Sequence, residues 1–569
     1  MRTLFLISVT ALTLTGQPAP QQPPGPGPAA IPPAPNEPRP EDLCAIQGKV
    51  VNANTGEIIP KALLMMRRAE SDRVTPPPPT FTTSTDTDGR FAMKDIDPGT
   101  YRLTVVRNGY VETEYGARGP MRSGATLKLE PGQKMTAVDF KLTPHGVISG
   151  RILDEDGEPL SGVQIVPMRQ RFTEGRKQLS QTGAASTNDL GEFRIFGLAP
   201  GRYFLSAVYT GGNLYEPAQD RSAAGLSDDS YLPTYFPGST DPSGASPLEV
   251  GPGQIFTGIE MRLSKSKTMH IRGRVNNQTG VRPQRAMVMI GPKDGEMYSY
   301  SNRSVAQGTQ GQFEFRGLAP GSYLLTAMIV DGQTRYIGRQ QVDVGSDHID
   351  NAVLTIAPGL EVPGNLNVEG PGSATFDRSL VRLFLTPASS AAMIFGSLSS
   401  DRLKEDGSFR IVNVSADRYQ IRATGLPDGY YVKSVRIGNQ LAEDDFVDLT
   451  SGAVPTIHIN VAEGAPQVNG TVTNDKQEPS SGATVVLIPE KESRRSRQEF
   501  VKVASTDQHG RFTVKNLDPG DYRIYAWEDI EHGSWMDPDV INPVESKGKK
   551  LTLKERGNET VALRVIRSE

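Results

Sequence analysis

"STDTDGRFAMKDIDPGTYRLTVVRNGY", residues 84–110, sets two turn signals ten residues apart, Asp88-Gly89 and Pro98-Gly99, and follows each with an aromatic, Phe91 and Tyr101. Asp-Gly favours a tight hairpin, because glycine accepts a positive φ without steric cost. Pro-Gly suits a type II turn. After the second turn, Tyr101, Leu103 and Val105 alternate with Arg102 and Thr104, the period of a half-buried strand. The same words recur downstream. Gly191-Glu192-Phe193 precedes Pro200-Gly201-Arg202-Tyr203, and Gly311-Gln312-Phe313 precedes Pro320-Gly321-Ser322-Tyr323. Gly407-Ser408-Phe409 precedes a degraded Ala416-Asp417-Arg418-Tyr419, and Gly510-Arg511-Phe512 precedes Pro519-Gly520-Asp521-Tyr522. The phenylalanines fall 102, 120, 96 and 103 residues apart. A period that long is a domain, not a solenoid unit of ~20–50 residues.

Each copy opens with an apolar-x-Gly-x-apolar stretch: Ile46-Gly48-Val50, Ile148-Gly150-Ile152, Ile271-Gly273-Val275, Val362-Gly364-Leu366 and Val468-Gly470-Val472. Each closes with two alternating stretches, and no convincing helix interrupts them. Seven short strands per copy predict an all-β chain of five tandem seven-stranded sandwiches of immunoglobulin-like or prealbumin-like type. The expected division is a signal peptide 1–19, a Pro-rich linker 20–41, and sandwiches at 42–144, 145–265, 266–358, 359–463 and 464–569, arranged as a string. Phe91, Phe193, Phe313, Phe409 and Phe512 read as core anchors. Tyr203, Tyr323 and Tyr522 read as tyrosine corners, rings packed inside with the hydroxyl on nearby backbone. The fourth copy lacks Pro-Gly before Tyr419, which leaves its corner open.

The order Gly-x-Val, Gly-x-Pro-x-x-Gly-x-x-Val, Thr-x-x-x-Gly-x-Phe, Pro-Gly-x-Tyr resembles the carboxypeptidase regulatory-like domain. The second copy carries it in Gly150-Arg151-Ile152, Gly157-Glu158-Pro159-Leu160-Ser161-Gly162-Val163, Thr187 to Phe193 and Pro200 to Tyr203, and the fifth copy follows. The resemblance implies a transthyretin-like sandwich of the carbohydrate-binding-like group.

The totals bound the function. With 61 basic and 65 acidic residues the net charge is −4, so no basic face points to nucleic acid. The charged start Arg2 and the apolar run Leu4 to Leu14 read as an export signal, too short to span a bilayer. A periplasmic, cell-surface or extracellular protein is expected, not one embedded in a membrane. Residues 17–40 hold eleven prolines, an extended spacer. The lone Cys44 allows no internal disulfide and reads as a small buried residue.

Catalytic patterns are absent. None of His145, His270, His348, His458, His509 and His532 is followed by Glu three residues on, as a zinc carboxypeptidase would require. There is no Gly-x-Ser-x-Gly elbow and no phosphate-binding loop. Asp86-x-Asp88-Gly89 and Asp154-Glu155-Asp156-Gly157 hold fragments of a calcium loop, but turn chemistry accounts for them. No catalytic residue, metal or cofactor is expected.

Ligand contact is expected from aromatics. In "DYRIYAWED" Tyr522, Ile524 and Ala526 face inward, so Tyr525 and Trp527 face outward, with Trp535 in the next loop. Such rings stack on sugar faces while Glu528, Asp529 and Asp537 accept hydroxyl hydrogen bonds; the competing reading is a loop folded back over Trp527. The insertion 209–247 offers Tyr231, Tyr235 and Phe236, either for recognition or as a packed junction. Arg494-Arg495-Ser496-Arg497 reads as a solvated hairpin loop open to proteases. The expected protein is a monomeric, non-enzymatic binder or scaffold whose partner is a polysaccharide or an envelope protein. The alternatives are an accessory spacer for an enzyme encoded elsewhere, a transporter's N-terminal module and a hydrolase.

Overall fold

The computed structural model describes residues 39–567, apart from 70–79, 174–175, 210–228, 282–285, 294–301, 307–310, 333, 389–397, 401 and 496. The expected signal peptide and most of the Pro-rich linker lie outside the described residues, as does the first half of the aromatic insertion. The chain is all-β. Its helices are single turns, such as Glu492–Arg495 and Pro538–Ile541.

Sheets come in pairs, each enclosing its own apolar cluster. In the last pair, Gln467–Thr473 is central to a three-stranded sheet, with Arg511–Val514 antiparallel on one side and Asn558–Arg564 parallel on the other. Facing it, Lys502–Ser505, Thr484–Pro489, Gly520–Trp527 and Lys549–Leu553 form a four-stranded antiparallel sheet. Val472, Val485, Leu487, Phe512, Tyr522, Ile524 and Leu563 fill the gap between them. The third copy repeats this three-plus-four arrangement, and the first, second and fourth elaborate it. The fourth adds a hairpin, Tyr430–Ile437 with Gln440–Leu441, beside its closing strand Ile457–Glu463.

One cross-strand pair sets the register every time. Gly48 faces Phe91, Gly150 faces Phe193, Gly273 faces Phe313, Gly364 faces Phe409 and Gly470 faces Phe512. A Cβ at Gly150 would sit inside the carbonyl oxygen of Ile259 on the parallel neighbour, and one at Gly470 inside that of Val561. The Phe512 ring lies over Gly470 within the contact distance such a Cβ would occupy. All five phenylalanines are buried, each contributing about 1.5–3 kcal/mol by its removal from water.

Thr85, Thr187 and Thr506 fasten the turn before each ring. Each hydroxyl donates to a backbone carbonyl, of Ile59 (2.7 Å), Leu160 (2.8 Å) and Ser480 (2.7 Å). Each also accepts an N–H, from Ala62, Val163 and Ala483. All five tyrosines of the repeat form corners. The hydroxyls of Tyr101, Tyr203, Tyr323, Tyr419 and Tyr522 donate to the carbonyl four residues upstream, at 2.7, 2.6, 2.8, 3.0 and 3.1 Å. The fourth corner forms without Pro-Gly, and the Ser415 hydroxyl, 2.7 Å from Tyr419 Oη, supports it. Cys44 is buried, its thiol 3.1 Å from the Glu130 carbonyl.

Replacing Tyr203 with Phe leaves the Ala199 carbonyl without this donor and is expected to cost about 1 kcal/mol. Gly150→Val is expected to cost several times more, since backbone must move. Amide exchange across Gly201–Tyr209 checks both; equal protection in wild type and Gly150→Val would contradict the packing rule.

Candidate functional site

The aromatics singled out in the last copy are reached through strand Gly520–Trp527. Alternation puts Tyr525 and Trp527 on the outer face of the four-stranded sheet, as expected. Of the two readings, the loop folded back over Trp527 is the one the structure takes, so the ligand-facing exposure of Tyr525, Trp527 and Trp535 is not found. Residues 528–548 fold back as three short turns, Ser534–Met536, Pro538–Ile541 and Asn542–Lys547, and close a second apolar cluster over that face. Tyr525, Trp527 and Trp535 retain 1%, 3% and 2% of their exposure. Tyr525 and Trp527 stack on each other at 5.0 Å, so their faces meet protein rather than solvent. The physical reason is that the loop carries its own apolar side chains, Ile530, Met536 and Ile541, which are buried with the rings. Phe172, from the hairpin of Val163–Thr173 and Arg176–Gln181 in the second copy, packs against the same cluster.

The acidic residues around those rings are engaged as well. Glu528 pairs with Arg118 and Asp529 with Arg122 at 2.5 Å, both bases from the first copy. Glu531 pairs with Arg169 at 2.9 Å, and Lys177 reaches Asp539 at 2.5 Å and Asp537 at 3.5 Å, both bases from the second. The Gln508 side chain adds hydrogen bonds to the N–H and carbonyl of Lys128 at 3.0 and 2.7 Å. The first and last copies therefore touch, so the chain closes back on itself. Arg169 is the centre of the contact. It is buried, its guanidinium lies 5.4 Å from the corner ring of Tyr203, and it donates to Met121 Sδ at 3.1 Å. Arg118, Arg122, Arg169 and Lys177 were not anticipated as functional residues. The available signal was the acid-rich run "EDIEHGSWMDPD", which has no local bases.

The second candidate group also packs inward. Tyr231 is buried against Tyr209, rings 5.1 Å apart, and Phe236 packs on the second core. Tyr235 is half-buried, and desolvation pushes its hydroxyl pKa up. Strand Asp229–Tyr231 pairs with Lys265–Lys267, so this part of the insertion is a ribbon at the junction between the second and third copies.

The arginine run is corrected too. Arg494 holds Asp444 at 2.8 Å beside Lys491 at 2.7 Å, Arg495 meets Glu545 at 3.1 Å, and Arg497 lies 4.2 Å over Phe446. Lys491, Arg494 and Arg497 join the fourth copy to the fifth, while Arg495 pairs within the fifth. Burial opposes ionisation of Asp444, but the Lys491, Arg494 and Ser493 hydrogen bonds prevail and hold its pKa at about 2.

The acidic turns serve the backbone. Asp86 Oδ1 accepts from the N–H of Asp88 and Arg90, and Asp154 Oδ1 from that of Asp156 and Glu158. Among the described residues no group of three His, Cys, Asp or Glu is placed to hold a metal ion. Nor is any described helix long and apolar enough to cross a membrane.

These features define a tandem β-sandwich protein whose acid-rich loop 528–548 faces its own sandwiches. The carboxypeptidase regulatory-like domain model matches residues 45–143 and 467–534, within the first and last sandwiches. No curated protein matches the chain. Similar solved structures include the Bacillus anthracis TIE protein, at 12% identity and TM-score 0.16, covering 56% of this chain. The chain spans 51% of that protein's length. GBS52, the minor pilin of Streptococcus agalactiae, is 14% identical with TM-score 0.23, covering 39% of this chain and 96% of the pilin. BcpA, the major pilin subunit of Bacillus cereus, is 10% identical with TM-score 0.15, covering 74% and 99%. Scores this low transfer no activity.

Two outcomes are expected. Arg169→Ala removes the pair with Glu531 that ties the second copy to the last and is expected to loosen that junction, giving a larger radius of gyration in X-ray scattering; an unchanged radius would refute a pinning role. For Asp444, a depressed acid pKa means its stabilisation is complete above the ordinary carboxylate range and is lost as pH falls through about 2. Asp444→Asn is expected to flatten that acid limb of the unfolding profile.

Proposed function

We propose that the chain is an exported, non-catalytic scaffold made of five sandwich domains, one for each sheet pair and core, and held as a closed body at or outside the cell envelope. The observation that carries the reading is the contact between first and last copies. Five carboxylates of the loop after Trp527 (Glu528, Asp529, Glu531, Asp537 and Asp539) bind four bases of other sandwiches. Individually such pairs contribute ~0.2–1 kcal/mol; as a cluster around the buried Arg169 and the half-buried Phe172 they fix an orientation. The export-like N-terminus supports placement outside the cytoplasm.

A second reading, binding of polysaccharide or an envelope protein, is favoured by one surface. On the outer face of the second copy's three-stranded sheet, Phe196 and Ile255 are 74% and 63% exposed. An open trough of ≈ 570 Å³ on the same sheet is lined by Arg151, Glu192, Arg194 and Glu260. An exposed ring beside hydrogen-bonding groups suits a sugar face.

Scattering at low salt and at about 1 M salt, where screening length falls to ~3 Å, tests closure. Expansion at high salt supports the scaffold reading, and a dimension independent of salt and of Arg118→Glu with Arg122→Glu counts against it. A glycan array and an envelope-extract pull-down test the second reading. Retention lost in Phe196→Ala but kept in Arg118→Glu would place binding on that face, while no retention at all removes it.

A further inference from the structure

The sequence holds two Asn-Gly pairs, and the fold places them in opposite surroundings. Asn108-Gly109 lies in the turn that leaves strand Gly99–Val106, closed by the Tyr110 N–H donating to the Arg107 carbonyl at 3.1 Å. Both residues are exposed. Gly109 sits at φ 88°, with nothing within 4 Å of where a Cβ would stand. Among the described residues nothing is hydrogen-bonded to the Asn108 side chain or to the Gly109 N–H. Asn469-Gly470 is the reverse case. It lies within the central strand Gln467–Thr473, which is paired on both sides. The Asn469 amide donates to Asn558 Oδ1 at 2.7 Å and accepts from the Thr513 hydroxyl at 2.8 Å. The first pair also touches a joint. The Gly109 carbonyl accepts from the His145 N–H at 2.9 Å, and the Val111 N–H donates to the Thr143 carbonyl at 2.8 Å, so Tyr110 pairs with Pro144. Residues 143–145 link the first sandwich to the second, whose Gly253 N–H donates to the Pro144 carbonyl at 3.1 Å. The turn therefore clasps the link from the side of the first copy.

We propose that Asn108-Gly109 is a self-modifying site, where the asparagine cyclises and is hydrolysed by water to aspartate and isoaspartate, and that the isoaspartate form loosens the joint between the first and second sandwiches. The Gly109 nitrogen gives its proton to a solvent base, and its electron pair forms a bond to Asn108 Cγ. The bond from Cγ to the side-chain nitrogen breaks, and that nitrogen takes a proton from water and leaves as ammonia. The succinimide so formed takes up one water. Opening at Cγ gives aspartate, and opening at the Asn108 main-chain carbonyl gives isoaspartate. No side chain on Gly109 obstructs the approach of its nitrogen to Cγ. An exposed turn lets the peptide rotate into that approach at little cost. At Asn469 the same rotation would break strand pairing and both side-chain hydrogen bonds. Isoaspartate routes the main chain through the former side chain and lengthens it by one methylene. The insertion falls directly before the carbonyl that His145 uses, so the pairing of Tyr110 with Pro144 loses its register. Aspartate changes the charge alone. The site goes beyond the scaffold reading and does not depend on it, since it needs only the first sandwich and its link.

The test holds the full chain in mildly alkaline buffer, native or in urea, and follows it by peptide mass spectrometry with fragmentation that separates aspartate from isoaspartate. Expected in the native chain is loss of the Asn108 amide, faster at higher pH, with Asn469 intact; in urea both convert at similar rates. Amide exchange of the aged native chain is expected to show lost protection at Val111 and His145, with strand Gln467–Thr473 unchanged. Asn108→Gln, whose longer side chain closes a ring far less readily, is expected to keep that protection through the same incubation. Freshly made Asn108→Asp, which carries the charge without the inserted methylene, is expected to keep it too. The proposal is overturned if Asn108 keeps its amide in the native chain, or if Asn469 converts there as fast as Asn108. It is equally overturned if the converted chain keeps full protection at His145, or if Asn108→Gln or fresh Asn108→Asp loses it as the aged wild type does.

Discussion

Phe512 lies across Gly470 because nothing larger than hydrogen fits there. The carbonyl of Val561, on the parallel closing strand, approaches from one side and the ring from the other. That constraint fixes three strands at once: the opening strand, its antiparallel partner and its parallel one. The four-stranded sheet then has a defined face to cover, and the corner tyrosine, Tyr522, locks the return strand to the turn before it. Five copies solve the same problem in the same way, even where the turn residues have drifted. In the fourth copy Ser415 takes part in the work of the lost Pro-Gly by bonding the Tyr419 hydroxyl. The corner depends on the ring and an upstream carbonyl, and the dipeptide merely favours the turn.

With inner faces so constrained, sandwiches are joined through loops and outer faces. The first and last copies meet through charge of opposite sign, the fourth and fifth through Asp444 and the arginine run, and the second and third through a two-stranded ribbon. Each junction is a few polar contacts around a small apolar or aromatic patch. Such contacts are directional and salt-sensitive, so they orient domains more than they stabilise them. Closure of the chain is a consequence of where the bases of the first two copies and the acids of the last one fall.

The fold was legible because its rules are local. Alternation, Asp-Gly and Pro-Gly turns and the Gly-to-Phe spacing all lie within about fifty residues, and each recurs. The parallel pairing of opening and closing strands was not legible, since alternation does not reveal the direction of a partner. The site was misread for a related reason. Period-two alternation correctly sent Tyr525 and Trp527 to the outer face, but an outer face is not solvent until nothing covers it. What covers them is Ile530, Met536 and Ile541 from the next loop and Phe172 from some 350 residues earlier. The arginine run misled likewise: its partners Asp444 and Glu545 lie on either side of it in sequence and meet it only after folding.

The copies differ at one equivalent position beside the framework glycine. The residue two before each framework glycine is apolar and inward, as Ile46, Ile148, Ile271, Val362 and Val468. The residue before that points outward and is Ala45, Val147, His270, Glu361 and Gln467 in turn. At Val147 the neighbours are the exposed Phe196 and Ile255; at His270 they are a second imidazole and a carboxylate; at Glu361 there is Arg410. One backbone therefore presents an apolar face, a titratable face and an ion-paired face in succession. Because these side chains share no atoms with the Gly–Phe register, they are free to differ without altering the fold. That separation lets a repeated sandwich acquire distinct surface chemistry copy by copy while its core stays the same.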